Sequence, residues 1–192
     1  TTPDPGELHV LFMRMAGAGC EYVVMETSSH ALDQKRLAGC RFAVGVFTNL
    51  TQDHLDYHGT MEAYYQAKKK LFDLSDAAVI NIDDDYGRRL VKEIPCPVTT
   101  FSIHADTADF TAKDIRPSVD RNRFTIVGNA QIGRVSFSMP GEFSVANAMA
   151  PGLTAPLLGV HMEQRCDGLS SCPGIPGRSE VLHTHPAFRV IR

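Results

Sequence analysis

The sequence is short of several things, and each shortage removes a class of protein. No apolar run among the 192 residues approaches the ~20 needed to span a bilayer, so nothing reads as a membrane helix. The net charge is only -3, too weak a field to draw in nucleic acid or an anionic membrane. Thr1 to Leu8 has neither a basic stretch nor an apolar one behind it, so no secretion signal is expected. The five cysteines (Cys20, Cys40, Cys96, Cys166 and Cys172) include no C-x-x-C pair. Reduced thiols in a cytoplasmic protein suit that scattered, odd-numbered set better than a disulfide framework or a zinc site. Also absent are internal repeats, low-complexity tracts, a G-x-x-x-x-G-K-[ST] loop and a G-x-G-x-x-G following a strand. These residues therefore lack the usual glycine-rich cradle for a triphosphate.

What is present is an ordinary globular composition patterned as short strands alternating with helices. Leu8, Leu11, Phe12 and Met15 recur at helical spacing over Glu7 to Ala18. Buried strands are expected at Glu21 to Met25, Phe42 to Phe47, Ala77 to Ile82 and Val98 to Ser102. Helices are expected at Ser29 to Leu37, Thr60 to Leu74 and Asp85 to Glu93. After His104 the pattern changes to alternating runs starting at Phe110, Arg123 and Arg134, joined by turns near Gly128-Asn129 and Gly133. The fold class expected is α/β, a mostly parallel sheet flanked by helices, with a small antiparallel meander at 105–139 packed at one edge. A helix from about Ser144 to Leu158 returns to the main body, and Pro151 and Pro156 should break or kink it. Thr1-Thr-Pro-Asp-Pro enters a helix with no initiator methionine, and Phe188 to Arg192 reads as a strand in progress. The chain is expected to be part of a longer one.

Ligands of open parallel sheets bind beyond the carboxyl ends of the strands. Two expected strands end in polar clusters, Glu26-Thr-Ser-Ser-His30 and Thr48-Asn-Leu-Thr-Gln-Asp-His-Leu-Asp-Tyr-His58. A carboxylate and an imidazole meeting in one crevice can hold a divalent cation; turn and capping residues are the plainer alternative. Two clusters at one edge favour a site. In the following helix Met61, Tyr64, Tyr65, Leu71 and Phe72 form an apolar stripe on which Lys68 falls, while Lys69 and Lys70 fall off it. A lysine there either snorkels or is pushed towards the neutral amine by desolvation and neighbouring ammonium groups. A neutral amine can add carbon dioxide to give a carbamate, an anionic metal ligand.

Three stretches resemble a known family. Met25-Glu-Thr-Ser-Ser-His-Ala-Leu-Asp-Gln-Lys-Arg36 resembles E-x-S-S-H-x-L-x-x-x-R, and Phe47-Thr-Asn-Leu-Thr-Gln-Asp-His-Leu-Asp-Tyr-His-Gly59 resembles T-N-L-x-x-D-H-L-D-Y-H-G. Tyr64-Tyr-Gln-Ala-Lys-Lys-Lys-Leu-Phe72 resembles Y-x-x-A-K-x-x-L-F, with weaker matches at Pro140 to Asn147 and Gly177 to Glu180. These are patterns of the Mur ligases, MurE type, and the chain is similar to the central, ATPase-type domain.

The resemblance implies an ATP-dependent ligase that adds diaminopimelate or lysine to UDP-MurNAc-dipeptide through an acyl phosphate. It implies two magnesium ions, one held by Glu26 near the ATP phosphates and a second held by His54 and by Lys68 as a carbamate, these three residues being the catalytic set. Ser28, His30, Gln34 and Arg36 would face the UDP-MurNAc-peptide, and Asn49, Asn147 and Arg178 the nucleotide. Three departures stand out. Gly141-Glu-Phe-Ser144 replaces the usual G-x-F-N, two prolines interrupt a normally regular helix, and the phosphate-loop segment and C-terminal domain are absent. The chain by itself is therefore expected to be inactive, and the sheet is expected to have an exposed interior edge, prone to dimerisation or disorder.

Two other classes remain. His54 and His58 (i, i+4) with His183-Thr-His185 could ligate zinc in a hydrolase, although Pro186 turns that strand away. A non-catalytic sugar-nucleotide-binding module would keep the crevice without turnover. A folate-type synthetase is disfavoured by the S-S-H run and by Tyr57-His58.

Overall fold

The structure, a computed structural model, describes residues 2–174, 181–185 and 188–191. One six-stranded sheet runs in the order β1 (Phe42–Phe47), β2 (Ser75–Asn81), β3 (Val98–Ser102), β4 (Phe110–Pro117), β5 (Asn122–Gly128) and β6 (Gln131–Phe137). Neighbours from β1 to β4 are parallel, and β4, β5 and β6 are antiparallel. The 105–139 meander thus continues the sheet and shares its core. A hairpin of β7 (Val181–His185) and β8 (Phe188–Ile191) forms a second sheet.

β2 shows why the parallel half is a core. Ala78, Val79 and Ile80 are all fully buried, with Val79 facing one hydrophobic cluster and its two neighbours the other. A strand covered on both faces carries a continuous apolar run. On one face lie α1 (Pro5–Gly17), α2 (Ser29–Asp33), α4 (Met61–Asp73) and α5 (Asp85–Glu93), supplying Leu8, Leu32, Tyr65, Phe72 and Leu90. On the other lies α6 (Glu142–Thr154), whose Val145, Met149 and Leu153 meet Phe101, Phe124 and Ile126. β5 alternates instead: Asn122, Phe124 and Ile126 point in while Arg123 is exposed, as expected of a sheet covered on one side.

Two expectations need correction, and one element was not expected. Glu21 to Met25 is not a strand. β1 pairs only with β2, and Tyr22, Val23 and Val24 are exposed, Val24 to 98%. An apolar run becomes a strand only where a partner takes its N–H and C=O groups, and among the described residues none does. The loop after β1 contains a one-turn helix, α3 (Leu55–His58), entered through His54 in the left-handed region at φ 53°. Pro151 does not break α6, which runs through it to Thr154 and then tightens into a 3-10 turn, Ala155–Leu158, at Pro156. Pro156 has no N–H to offer the carbonyl of Gly152 four residues back. Arg165, buried on α7 (Met162–Ser171), donates to that carbonyl instead at 2.7 Å.

Candidate functional site

The site is built at the carboxyl ends of β1 and β2. Asn81 donates its amide to the Thr48 carbonyl (2.9 Å), and Asp84 accepts the Leu50 N–H (2.9 Å) while also capping α5 through Tyr86 and Gly87. Those bonds fix the exit of β1, from which Asn49 projects exposed. The next turn is set by Asp53, whose carboxylate accepts the His54 N–H (2.8 Å).

The loop from Glu26 to Arg36 meets this one. Ser28 caps α2 by accepting the Ala31 N–H (3.1 Å), which leaves its own O–H free to donate elsewhere. His30 then packs among the rings of His54 (centroids 5.0 Å), Tyr57 (4.1 Å) and His58 (5.5 Å). His58 stacks on Tyr64 of α4 at 5.2 Å and bonds the Ser29 hydroxyl through Nε2 (2.8 Å). Burial, then the neighbouring His30, pushes its pKa below the ordinary histidine value.

His54 packs edge-on against Tyr64, 5.9 Å between centroids. Lys68 lies one turn further along the same face of α4, half-buried as the apolar stripe requires. Its Nζ donates to the Thr27 carbonyl (3.3 Å), next to Glu26. Burial lowers the Lys68 pKa and the charge of Glu26 opposes that shift, so the amine is easier to deprotonate than an ordinary lysine's. His54 and Lys68 thus lie along one side of α4, with Glu26 near enough for its charge to act on Lys68. Glu26 and His54 remain exposed.

Arg36 sits on the other side of the loop. Its NH1 donates to the Thr2 carbonyl (3.0 Å) and its Nε to Gln34 Oε1 (2.9 Å), with Asp4 3.7 Å away. Buried Thr2 is a member of this cluster that sequence spacing did not single out; its only local signal is a polar pair ahead of a helix-starting proline. Asp33 was likewise not singled out, and Tyr57 only as part of a family motif. The Asp33 carboxylate is held below the usual range by hydrogen bonds from Lys70 and then Tyr57.

Two nucleotide candidates remain. Asn147 is exposed on α6, while Arg178 falls outside the described residues. Ser144, at the position of the usual asparagine, is fully buried and bonds the carbonyls of Met139 and Gly141 together with the Asn122 amide. That departure falls on the internal cap of α6, where Asn122 supplies the amide. Gly141 opens the helix at φ 84°, and a side chain there would collide with the Phe143 ring.

For a zinc centre the side chains of His183 and His185 lie outside the described residues. His54 and His58 both pack against Tyr64, His54 edge-on and His58 stacked, and among the described residues no three His, Cys, Asp or Glu are grouped to hold a metal by themselves. No helix of the described residues is long and apolar enough to cross a membrane.

Residues 1–155 match the Mur ligase middle domain family. The chain belongs to that family. It is 43% identical over 187 residues to the UDP-N-acetylmuramoyl-L-alanyl-D-glutamate–2,6-diaminopimelate ligase of Clostridium perfringens, covering 95% of this chain and 38% of that one. A solved structure of a ligase of the same description superposes with a TM-score of 0.89 at 33% identity, covering 96% of this chain and 39% of the other. A MurF ligase from Thermotoga maritima, solved in complex with ADP, shares the fold at a TM-score of 0.64 and 22% identity, covering 81% of this chain and 36% of that one. The chain spans under two-fifths of the length of the curated relatives it matches. The mixed sheet flanked by helices is that of a Mur ligase middle domain.

Proposed function

We propose that this middle domain serves an ATP-dependent ligase that joins diaminopimelate to UDP-MurNAc-L-Ala-D-Glu in the cytoplasm. The observation that carries this reading is the meeting of two loops on one face of α4, with His54 and Lys68 on one side and Arg36 with Gln34 on the other. The names of the curated relatives favour diaminopimelate over lysine.

In this reading the substrate carboxylate attacks the γ-phosphorus of ATP, ADP leaves, and the amine displaces phosphate from the acyl phosphate. Arg36 orients substrate carboxylate through a planar fork of donors, while Ser28, His30 and Gln34 line the UDP-MurNAc-peptide path. Asn49, Asn147 and Arg178 approach the nucleotide. Glu26, His54 and Lys68 as a carbamate fit magnesium, because the depressed pKa of Lys68 favours the neutral amine that takes up carbon dioxide. Magnesium bound there would supply positive charge to the transferring phosphoryl group. With no glycine-rich phosphate loop in its 192 residues, the chain alone is inactive.

We also propose that two copies pair through β1. The Phe42 N–H is given to Leu74 of the β2 side (2.8 Å), so the alternate residues Ala43, Gly45 and Phe47 direct their polar groups to the free edge. A bare edge beside exposed Tyr22 and Val24 favours association.

The test is calorimetric titration of the chain with UDP-MurNAc-L-Ala-D-Glu and, separately, with Mg-ATP. Sugar-nucleotide binding that falls at least tenfold in Arg36→Ala, with negligible ATP binding, is the expected result. Tight ATP binding would overturn the assignment of inactivity. Sugar-nucleotide binding indifferent to Arg36 would overturn the substrate reading.

A further inference from the structure

Resting on the reading of Arg36 as a substrate contact, we propose that Tyr57 and Asp33 are positioning residues that hold Gln34 and Arg36 through one directional hydrogen-bond relay anchored on α4. The relay runs over four side chains in unbroken order. Arg36 Nε donates to Gln34 Oε1 (2.9 Å), Gln34 Nε2 donates to the Tyr57 hydroxyl (3.3 Å), and that hydroxyl donates to Asp33 Oδ2 (3.1 Å). Lys70 Nζ closes the far end on Asp33 Oδ1 (2.7 Å).

Direction is what makes the chain informative. An ionised carboxylate only accepts, so Asp33 forces the Tyr57 proton towards itself and leaves the phenol lone pairs facing Gln34. A carboxamide has one donor end and one acceptor end. With its NH2 committed to Tyr57, Gln34 must present its oxygen to Arg36, and the reversed amide would set N–H against N–H. Each bond also polarises the next. The guanidinium is thereby fixed at Nε by the relay and at NH1 by Thr2, which leaves the second NH1 hydrogen and both NH2 hydrogens as the fork for a substrate carboxylate.

The anchor is the helix that carries Lys68. Lys68 reaches back to the Thr27 carbonyl at the start of the loop, and Lys70, two residues on, reaches Asp33 near its end. The two lysines point to different sides of α4, so one rigid helix holds both ends of the segment between Thr27 and Asp33. Placement of the substrate arginine is in this way registered against the same helix as the proposed cation site.

Tyr57→Phe removes one hydroxyl and keeps the ring against His30 and His58. Two readouts test the relay. The first needs no ligand: by 15N NMR of the free chain, the Arg36 Nε–H should exchange with water slowly in the wild type and at least fivefold faster in Tyr57→Phe. Unchanged exchange would falsify the relay. The second is affinity for UDP-MurNAc-L-Ala-D-Glu, expected to fall roughly three- to tenfold in Tyr57→Phe, and not to fall further when Tyr57→Phe is added to Gln34→Ala. Equal losses in both backgrounds would mean that Tyr57 acts independently of Gln34, and would overturn the proposal while leaving the ligase reading intact. If Arg36→Ala binds as wild type does, the ligase reading fails instead, and the NMR result still decides the relay.

Discussion

The two edges of the main sheet are finished differently. At the β6 edge α7 packs down so closely that a side chain on Gly133 would meet Cys166 Sγ at 2.4 Å, and Ser170 accepts the Ser136 N–H (3.1 Å). At the β1 edge nothing among the described residues takes the outward N–H and C=O groups, and Val23 and Met25 flank an open groove beside Phe42 and Ala43. One side of the domain packs a helix against its last strand and caps one of its outward N–H groups; the other leaves its last strand uncovered. Both halves bury hydrogen-bonded neutral groups, Asn81 and Ser102 in the parallel half and Asn122 and Ser144 in the antiparallel half. The antiparallel half adds a buried guanidinium, Arg165, while the helices of the parallel half add a network of carboxylates and cations near the surface.

The largest effect should come from opening the finished side. Arg165 donates to the Gly152 carbonyl and to Gln131 Oε1 (2.9 Å) while 4% exposed. Arg165→Met keeps much of the volume and removes both donors. A buried acceptor left unpaired costs roughly 1–3 kcal/mol, so the melting temperature should fall by several degrees. An unchanged melting temperature would show that the Gly152 carbonyl needs no partner. At the bare side the opposite is expected. Ala43→Pro removes an outward N–H at a free strand edge, where proline is tolerated, and the melting temperature should move much less. Self-association in sedimentation should be lost with it. A dimer that survives Ala43→Pro would place the interface elsewhere.

That contrast also explains which parts of the structure were legible. The stripe on α4 was readable because its period is local, and Lys68 fell on it for the same reason. The Tyr-Val-Val-Met run was not, because composition reports that a segment is apolar and says nothing of whether a partner strand lies beside it. Pro151 in α6 and Pro156 just beyond it looked disruptive, yet the donor that stands in for the missing N–H of Pro156 is on α7, nine residues further along. Gln34 and Arg36 were found through motif resemblance, whereas Asp33, Tyr57 and Thr2 join them only through contacts across 23 residues or more. Local order was written in periodicity; the shared placement of the loops was not.

The smallest effect separates the two halves by acid. α4 and α5 are tied by Arg89, which bonds both Glu62 and Glu93 and lies over the Tyr65 ring at 4.2 Å, and by Lys69 on Glu93. Arg89 and then Gln66 hold Glu62 down to about 2, and Lys69 followed by Arg89 holds Glu93 down to about 2. Carboxylates with a folded-state pKa below the unfolded one stabilise fully above the ordinary value of about 4.5, and that contribution disappears as pH falls through about 2. These groups are well solvated, so the gain is modest, screened by salt, and local. Hydrogen exchange followed from pH 5 to pH 2, corrected for the intrinsic rate, should show α5 losing protection across that window while β5 and β6 hold theirs. The antiparallel half has Asn122, Ser144 and Arg165 in its interior, none of which titrates there. Equal loss in both halves would mean that acid acts on the whole fold, and the difference between a charge-tied side and a neutral one would not survive.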